Sequence, residues 1–331
     1  MERRVRHRPR HTRPVRTPAE TGPLMRPFRF AVTAAWAPDA AAWGALARRA
    51  EALGYDALVV PDHLSRQLAP IAALATAAAA TTRLRIGAYV FANDFRHPLV
   101  LAREVATLDL LSGGRTLLGL GAGWRVADYR QLGLPYDPAG TRIERLGEAV
   151  GLVKRLLSGE EVTHVGRHYR LERARVEPRP IQHPHPPLIL GGGGRRMLRL
   201  AAREADIVGL LPQFDARGRP MVRQATEGAT AAKVALVREA AGERWGSFDL
   251  DILVVDAGLV DWRRRPLRSL WSVAAAGVAA LVGTPYLLHG SLRRLETLLL
   301  RRRDAWGLNS YTVHVGSMEA IAPLVERLAG R

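Results

Sequence analysis

LRIGAYVFANDFRHPLVLAREVATLDLLSGGRTLLGLGAGW, residues 84–124, decides the fold. It opens on one apolar run, Leu84–Val90, and nears its end on another, Thr116–Leu120. Between them a helical pattern runs from Pro98 to Leu111. Proline suits a first helical turn, where its missing N–H has no partner to lose. Gly113 stands just past the helix, where a left-handed C-cap is expected, and DLLSGGR reads as helix end, turn and strand start. Neither apolar run alternates with polar residues. A strand with one wet face would alternate, so these read as parallel strands covered on both sides.

The same unit repeats along the chain. Strands are expected at Phe28–Thr33, Ala57–Val60, Leu188–Leu190, Ile207–Leu210, Leu250–Val255 and Ser310–His314. Helices are expected at Asp39–Leu53, Pro70–Ala80, Thr141–Leu157, Arg195–Glu204 and Met221–Ala241, with two or three more within Leu267–Trp306. Eight strand–helix units in about 300 residues fit a (β/α)8 TIM barrel. A doubly wound α/β sheet shares the alternation. Residues 159–187 break the rhythm and read as a small hairpin with a Pro-rich return, inserted after the fourth helix. A second irregular stretch, 211–220, follows the sixth strand. Long loops after barrel strands are where specificity resides.

The 331 residues contain no cysteine, which excludes disulfides and thiolate metal sites and suits a reducing, cytoplasmic setting. The net charge of +18 points toward nucleic acid until its distribution is considered. Residues 1–27 hold eight arginines and five prolines against only Glu2 and Glu20, with almost no apolar periodicity. Residues 1–26 therefore read as a disordered basic tail and 27–331 as a single barrel domain. Met25, where the folded pattern begins, is a second candidate start. No apolar stretch follows Arg3–Arg4, so a twin-arginine signal is not expected. Residues 269–292 carry no Asp, Glu, Lys or Arg and are long enough to cross a membrane. Their Ala and Gly content and the break at Gly283–Pro285 instead suggest a buried helix, a turn and the start of another helix.

In a barrel the chemistry sits where strands end. The second strand ends on Pro61–Asp62–His63, either a polar cap on a core strand or a pair delivered to a site. The third runs into Asn93–Pro98, where Arg96 is expected to brace Asp94 or Glu104. The fourth ends on Gly121–Ala122–Gly123–Trp124. With Trp124 where a dinucleotide turn needs glycine, a Rossmann fingerprint is excluded. The remaining glycines serve either tight packing or the approach of a flat ligand. The fifth ends on four glycines, Gly191–Gly194, before Arg195 and Arg196 open a helix. That arrangement suits a phosphate, and a flexible turn is the other reading. There is no metal-ligand spacing and no nucleophile elbow, so an organic cofactor is expected to carry the chemistry.

Together, AEALGYDALVVPDHL, the stretch 84–124, PPLILGGGGRRMLRLAAREADIV, LVGTP and the closing MEAIAPLVERL resemble the bacterial luciferase-like oxidoreductases. The resemblance covers roughly residues 28–329 and is closest to the members that use coenzyme F420, a deazaflavin. It implies a (β/α)8 barrel, with FMN as the alternative cofactor and monooxygenation as the alternative reaction. By position it implies that Asp62 and His63 are catalytic, His63 stabilising the reduced ring. It implies a cis peptide at Tyr89–Val90 behind the ring. It puts Gly121, Ala122, Gly123 and Trp124 beside the ring, and Gly192, Gly193, Gly194 and Arg195 at the cofactor phosphate. Arg125 and Arg196 are further candidates for the acidic cofactor tail. The sugar-phosphate dehydrogenases of the family carry a proton-donating glutamate where this chain has Trp124. They also carry a tryptophan a few residues beyond the histidine, where this chain reads Ser65–Arg66–Gln67. These departures argue for a flat or apolar small organic substrate. The resemblance is compatible with a homodimer, and it leaves a non-catalytic flavin-binding barrel as the reading from another class.

Overall fold

Alternate residues of each strand face two different cores, and their sizes explain the architecture. In the computed structural model, which describes residues 26–213, 221–259 and 284–331, one face of the strands carries Phe30, Leu58, Ile86, Leu118, Leu190, Val208, Ile252 and Tyr311. These bulky side chains bury themselves against the helices. The other face carries Ala57, Val59, Leu117, Ile189 and Ile207, with Ala31 and Leu253 packed against them. This second, smaller set fills the inside of a closed barrel.

The elements follow in order. The chain runs β1 (Arg29–Thr33), α1 (Ala40–Ala52), β2 (Ala57–Val60), α2 (Pro70–Ala80), β3 (Arg85–Ala88), β4 (Phe91–Ala92), α3 (Pro98–Ser112) and β5 (Thr116–Gly121). It continues through α4 (Val126–Leu132), α5 (Ala139–Leu157), β6 (Val162–Val165), β7 (Arg170–Ala174), β8 (Leu188–Gly192), α6 (Arg195–Glu204) and β9 (Ile207–Leu210). It closes with α7 (Glu227–Ala241), β10 (Asp249–Val254), β11 (Asp256–Leu259), β12 (Leu287–Gly290), α8 (Leu292–Trp306), β13 (Leu308–His314) and α9 (Ala322–Leu328). Strands β1, β2, β3, β5, β8, β9, β10 and β13 pair in parallel around a closed ring, since β3 meets β5 and β13 meets β1. The expected TIM barrel is thus the fold, and its ring closure excludes the doubly wound alternative.

Local chemistry sets the element ends. Asp39 caps α1 by accepting from the Ala42 N–H at 2.8 Å, and Ser291 and Thr226 cap α8 and α7 in the same way. Gly113, at φ +71°, terminates α3 in the left-handed conformation. The segment after α3 is structural throughout. Buried Asp109 accepts from the N–H groups of Ile181 and Gln182, at 2.8 and 2.9 Å, and from the Gln182 side chain at 2.7 Å. Arg115 donates to the carbonyls of Ala78, Leu84 and Ser112.

The expected hairpin is β6–β7, an antiparallel pair. Glu148 on α5 holds it by accepting from His164 and from the N–H groups of His168 and Tyr169. Other elements were not expected. The helix α4 follows β5 directly, α9 comes last, and β11 and β12 form a separate parallel pair. Residues 287–290, expected to lead into a helix, are therefore a strand, because their backbone groups pair with 256–259. The helix expected earlier in 269–292 lies outside the described residues, as do most of 211–220 and residues 1–25 of the tail. No helix among the described residues is long and apolar enough to cross a membrane.

The inside of the barrel is filled by one long side chain. Tyr89 reaches across to β9, where Gly209 leaves room. A methyl group on Gly209 would lie 2.4 Å from the tyrosine oxygen. Below it, buried Asp251 accepts from Ser310 and Thr312 at 2.8 and 3.0 Å. Burial pushes the Asp251 carboxyl above its ordinary range, and burial together with the Asp251 charge pushes the Tyr89 hydroxyl well up. Only about 20 Å³ of cavity remains there, roughly the space of one water.

Candidate active site at the barrel mouth

Four neighbouring strands, β2, β3, β5 and β8, deliver the candidate residues to one arc of the rim. After β2 the chain turns through Pro61, and Gln67 fixes the turn by donating to the Pro61 carbonyl at 2.9 Å. His63 sits in that turn, about a quarter exposed, with its Nδ1 2.8 Å from Oδ2 of Asp128 on α4. Asp128 is buried, and its other oxygen accepts from the Leu64 N–H at 3.3 Å and from Arg125 at 3.4 Å. The Trp124 ring meets the His63 ring edge-on, with centroids 5.5 Å apart and planes at 89°. The imidazole is thus held at one nitrogen and along one edge. Among the described residues its Nε2 has no hydrogen-bond partner.

Asp62 is directed to a different task. Its buried carboxylate takes Arg96 at 2.6 Å and the N–H of Ala92 at 3.0 Å. It therefore braces the loop after β3 rather than joining His63. Arg96 also reaches Glu104 at 3.6 Å, one of its two expected partners. Asp94, the other, instead accepts from Tyr129 and Arg145, both at 2.9 Å.

The Tyr89–Val90 peptide is cis. The bulge packs directly on β5, which explains the glycines there. A Cβ on Gly119 would fall 1.9 Å from the Ala88 carbonyl oxygen, and one on Gly121 would fall 2.5 Å from a Val90 methyl. Gly123 has φ +69°, and Tyr129 lies where its side chain would be. Tight packing thus accounts for these three glycines. The carbonyls of Ala122 and Gly123 accept from buried Arg142, which stacks on the Tyr136 ring at 4.2 Å. The turn that carries Trp124 is therefore fixed by side chains from α4 and α5.

The glycine loop after β8 divides in two. Gly192 and Gly193 are close-approach positions, where added carbons would strike Met197 and the backbone of Leu211–Gln213. Gln213 ties the two loops by donating to the Gly193 carbonyl at 3.1 Å. Behind them, buried Lys233 donates to the carbonyls of Leu211 and Gln224, and burial lowers its ammonium to about 8. Gly194 caps α6 without a side-chain oxygen, so the first turn of that helix presents its N–H groups. Arg196 lies over Gly140, and Arg125 is paired with Asp128. Arg195 is exposed and has no ion pair among the described residues.

Asp128, Tyr129 and Arg142 are the site residues that reading the strand ends missed. All three depend on α4 and the start of α5. The signals were short: an acid in the first turn of a seven-residue helix, and Gly133 at φ +67° as its stop.

The model of the luciferase-like monooxygenase family matches residues 20–241. The chain belongs to the luciferase-like family. One relative, an F420-dependent glucose-6-phosphate dehydrogenase of Microbacterium testaceum, is 36% identical over 165 residues, which are 47% of this chain and 48% of that protein. Another, the 4-hydroxyprotoasukamycin monooxygenase of Streptomyces nodosus subsp. asukaensis, is 39% identical over 140 residues, 41% of this chain and 37% of that one. The chain spans about half the length or less of these curated relatives. Among solved structures, the F420-dependent tetrahydromethanopterin reductase of Methanopyrus kandleri superposes with a TM-score of 0.72 at 19% identity, covering 91% of this chain and 99% of that one. That likeness concerns the fold.

Proposed function

We propose that this chain is an oxidoreductase that passes a hydride between coenzyme F420 and a small organic substrate held over the barrel mouth. The observation that carries the reading is His63, anchored through Nδ1 and with no partner at Nε2 among the described residues. The residues present suit a phosphorylated, flavin-like group. The open first turn of α6 and the exposed Arg195 offer N–H donors and charge to a phosphate or acidic tail. The bulge between β3 and β5 offers a firm wall to a flat ring. When bound, the deazaflavin would supply a carbon that accepts or returns hydride.

The chain's own residues would do the rest. His63 would hold or release a proton at Nε2 and offset negative charge on the ring. Asp62 and Arg96 would keep the β3 loop in place, and Arg142 would hold the Gly121–Trp124 turn. Trp124, standing where sugar-phosphate dehydrogenases have a glutamate, would exclude water and favour a flat or apolar substrate.

FMN-dependent monooxygenation is the second reading, supported by the family description and by the monooxygenase relative. Titrating the full chain with each cofactor, followed by fluorescence, separates the two. Tight binding of F420 alone supports the proposal, whereas binding of FMN alone replaces it. Binding of neither favours a barrel without this chemistry. With F420 bound, His63→Ala should lower turnover by about 100-fold while the fold survives, the range expected for loss of a group that moves a proton.

A further inference from the structure

The carboxylate of Asp128 faces three neighbours, and two of them leave no choice of polarity. The Leu64 N–H and the Arg125 guanidinium are donors only. Buried and fed by donors, Asp128 acts as an acceptor throughout. The third neighbour, Nδ1 of His63 at 2.8 Å, avoids a lone-pair clash only if it also carries a proton. The other face of the ring is set by the edge of Trp124. A histidine in this setting has one tautomer and one orientation, and both are supplied by residues on α4 and its approach.

From this we infer that Asp128 is a positioning residue for His63: it fixes a proton on Nδ1, so that the neutral ring, when present, offers its lone pair at Nε2. The inference deepens the reading above, because it names which nitrogen meets the bound molecule and in which state. A neutral Nε2 accepts a proton, and the imidazolium then formed keeps its second N–H on the Asp128 carboxylate. Were the tautomer reversed, Nε2 would donate and the same ring would be unable to accept. Asp128 acts through His63 in this arrangement.

The test begins with the cofactor-free full chain, so it does not depend on which cofactor binds. Nitrogen-15 correlation spectra of the histidine side chains, with His63 assigned by comparison with His63→Gln, report which nitrogen carries the proton. The neutral wild-type ring should show the proton on Nδ1. In Asp128→Asn the amide oxygen can still accept from Leu64 while its NH2 group meets Nδ1, so the proton should move to Nε2. Asp128→Glu should restore the wild-type pattern. A proton on Nε2 in the wild type, or an unchanged tautomer in Asp128→Asn, overturns the inference. The wild-type spectrum decides even if a variant fails to fold. In the cofactor-loaded enzyme, Asp128→Asn should lower kcat by about 100-fold, with KM changed far less. Unchanged kcat would also overturn it. Failure to bind F420 would remove the functional proposal and leave the spectral result standing.

Discussion

At the scale of single residues, the barrel mouth depends on side chains that are absent. Gly119 and Gly121 exist because the Tyr89–Val90 bulge occupies the space that side chains on β5 would need. Gly209 exists because the tip of Tyr89 lies over it. A Gly119→Ala chain should therefore lose about 3 kcal/mol or more, since the new methyl meets backbone rather than a movable side chain. Urea unfolding measures this, and a loss below about 0.5 kcal/mol would show that the bulge yields easily. His63 follows the opposite logic. Its removal should cost little stability and much activity, because it is partly exposed and its role is at Nε2.

At the scale of elements, the loops of the rim are tied to buried charges on the helices behind them. Asp62 and Arg96 join the end of β2 to the start of α3. Breaking this pair with Arg96→Ala should cost about 3–5 kcal/mol, because the Asp62 carboxylate would be left buried and unpaired. Thermal unfolding of that variant, compared with the Asp62→Asn, Arg96→Met double variant, checks the point: the double change should recover part of the loss.

Lys233 ties α7 to the loop after β9. Burial brings its pKa down to about 8 from 10.5. Between those values the unfolded chain binds the proton and the folded chain does not, so this group adds stability as pH rises through about 8. Wild type should thus gain on Lys233→Met between pH 8 and 10, by at most about 1.4 kcal/mol per pH unit. A constant difference across that range would show that Lys233 stays charged in the fold.

For the whole molecule, charge and architecture are separate matters. Residues 1–24 hold seven arginines against Glu2 and Glu20, in a composition that calls for neither core nor strand. Deleting them should leave the unfolding midpoint of the barrel unchanged. It should also abolish any salt-dependent retention on DNA. A lowered midpoint would show that the tail packs on the barrel, and retention that persists would place the nucleic-acid contact elsewhere. The ring of eight strands separates two cores, a large one between strands and helices and a smaller cluster, Tyr89 included, within the barrel. Such a barrel presents its strand ends together, and that is why residues 63, 90, 121 and 194, far apart in the chain, share one rim.

The sequence by itself determined the alternation of strands and helices, and hence the barrel. Unbroken apolar runs are local signals, and so are helix caps such as Asp39, Gly113 and Ser291. Its resemblance to the luciferase-like family also marked His63, the bulge at Tyr89–Val90 and the glycine-rich strand ends. Only the tertiary structure decided what each of these touches. Asp62 stands next to His63 in the chain, yet its carboxylate is taken by Arg96 from another loop. The partner of His63 is Asp128, 65 residues away, on a helix too short for its periodicity to be read. Periodicity reports which side of an element is buried. It does not report which donor meets which acceptor, because that depends on the closure of the ring that brings their loops together.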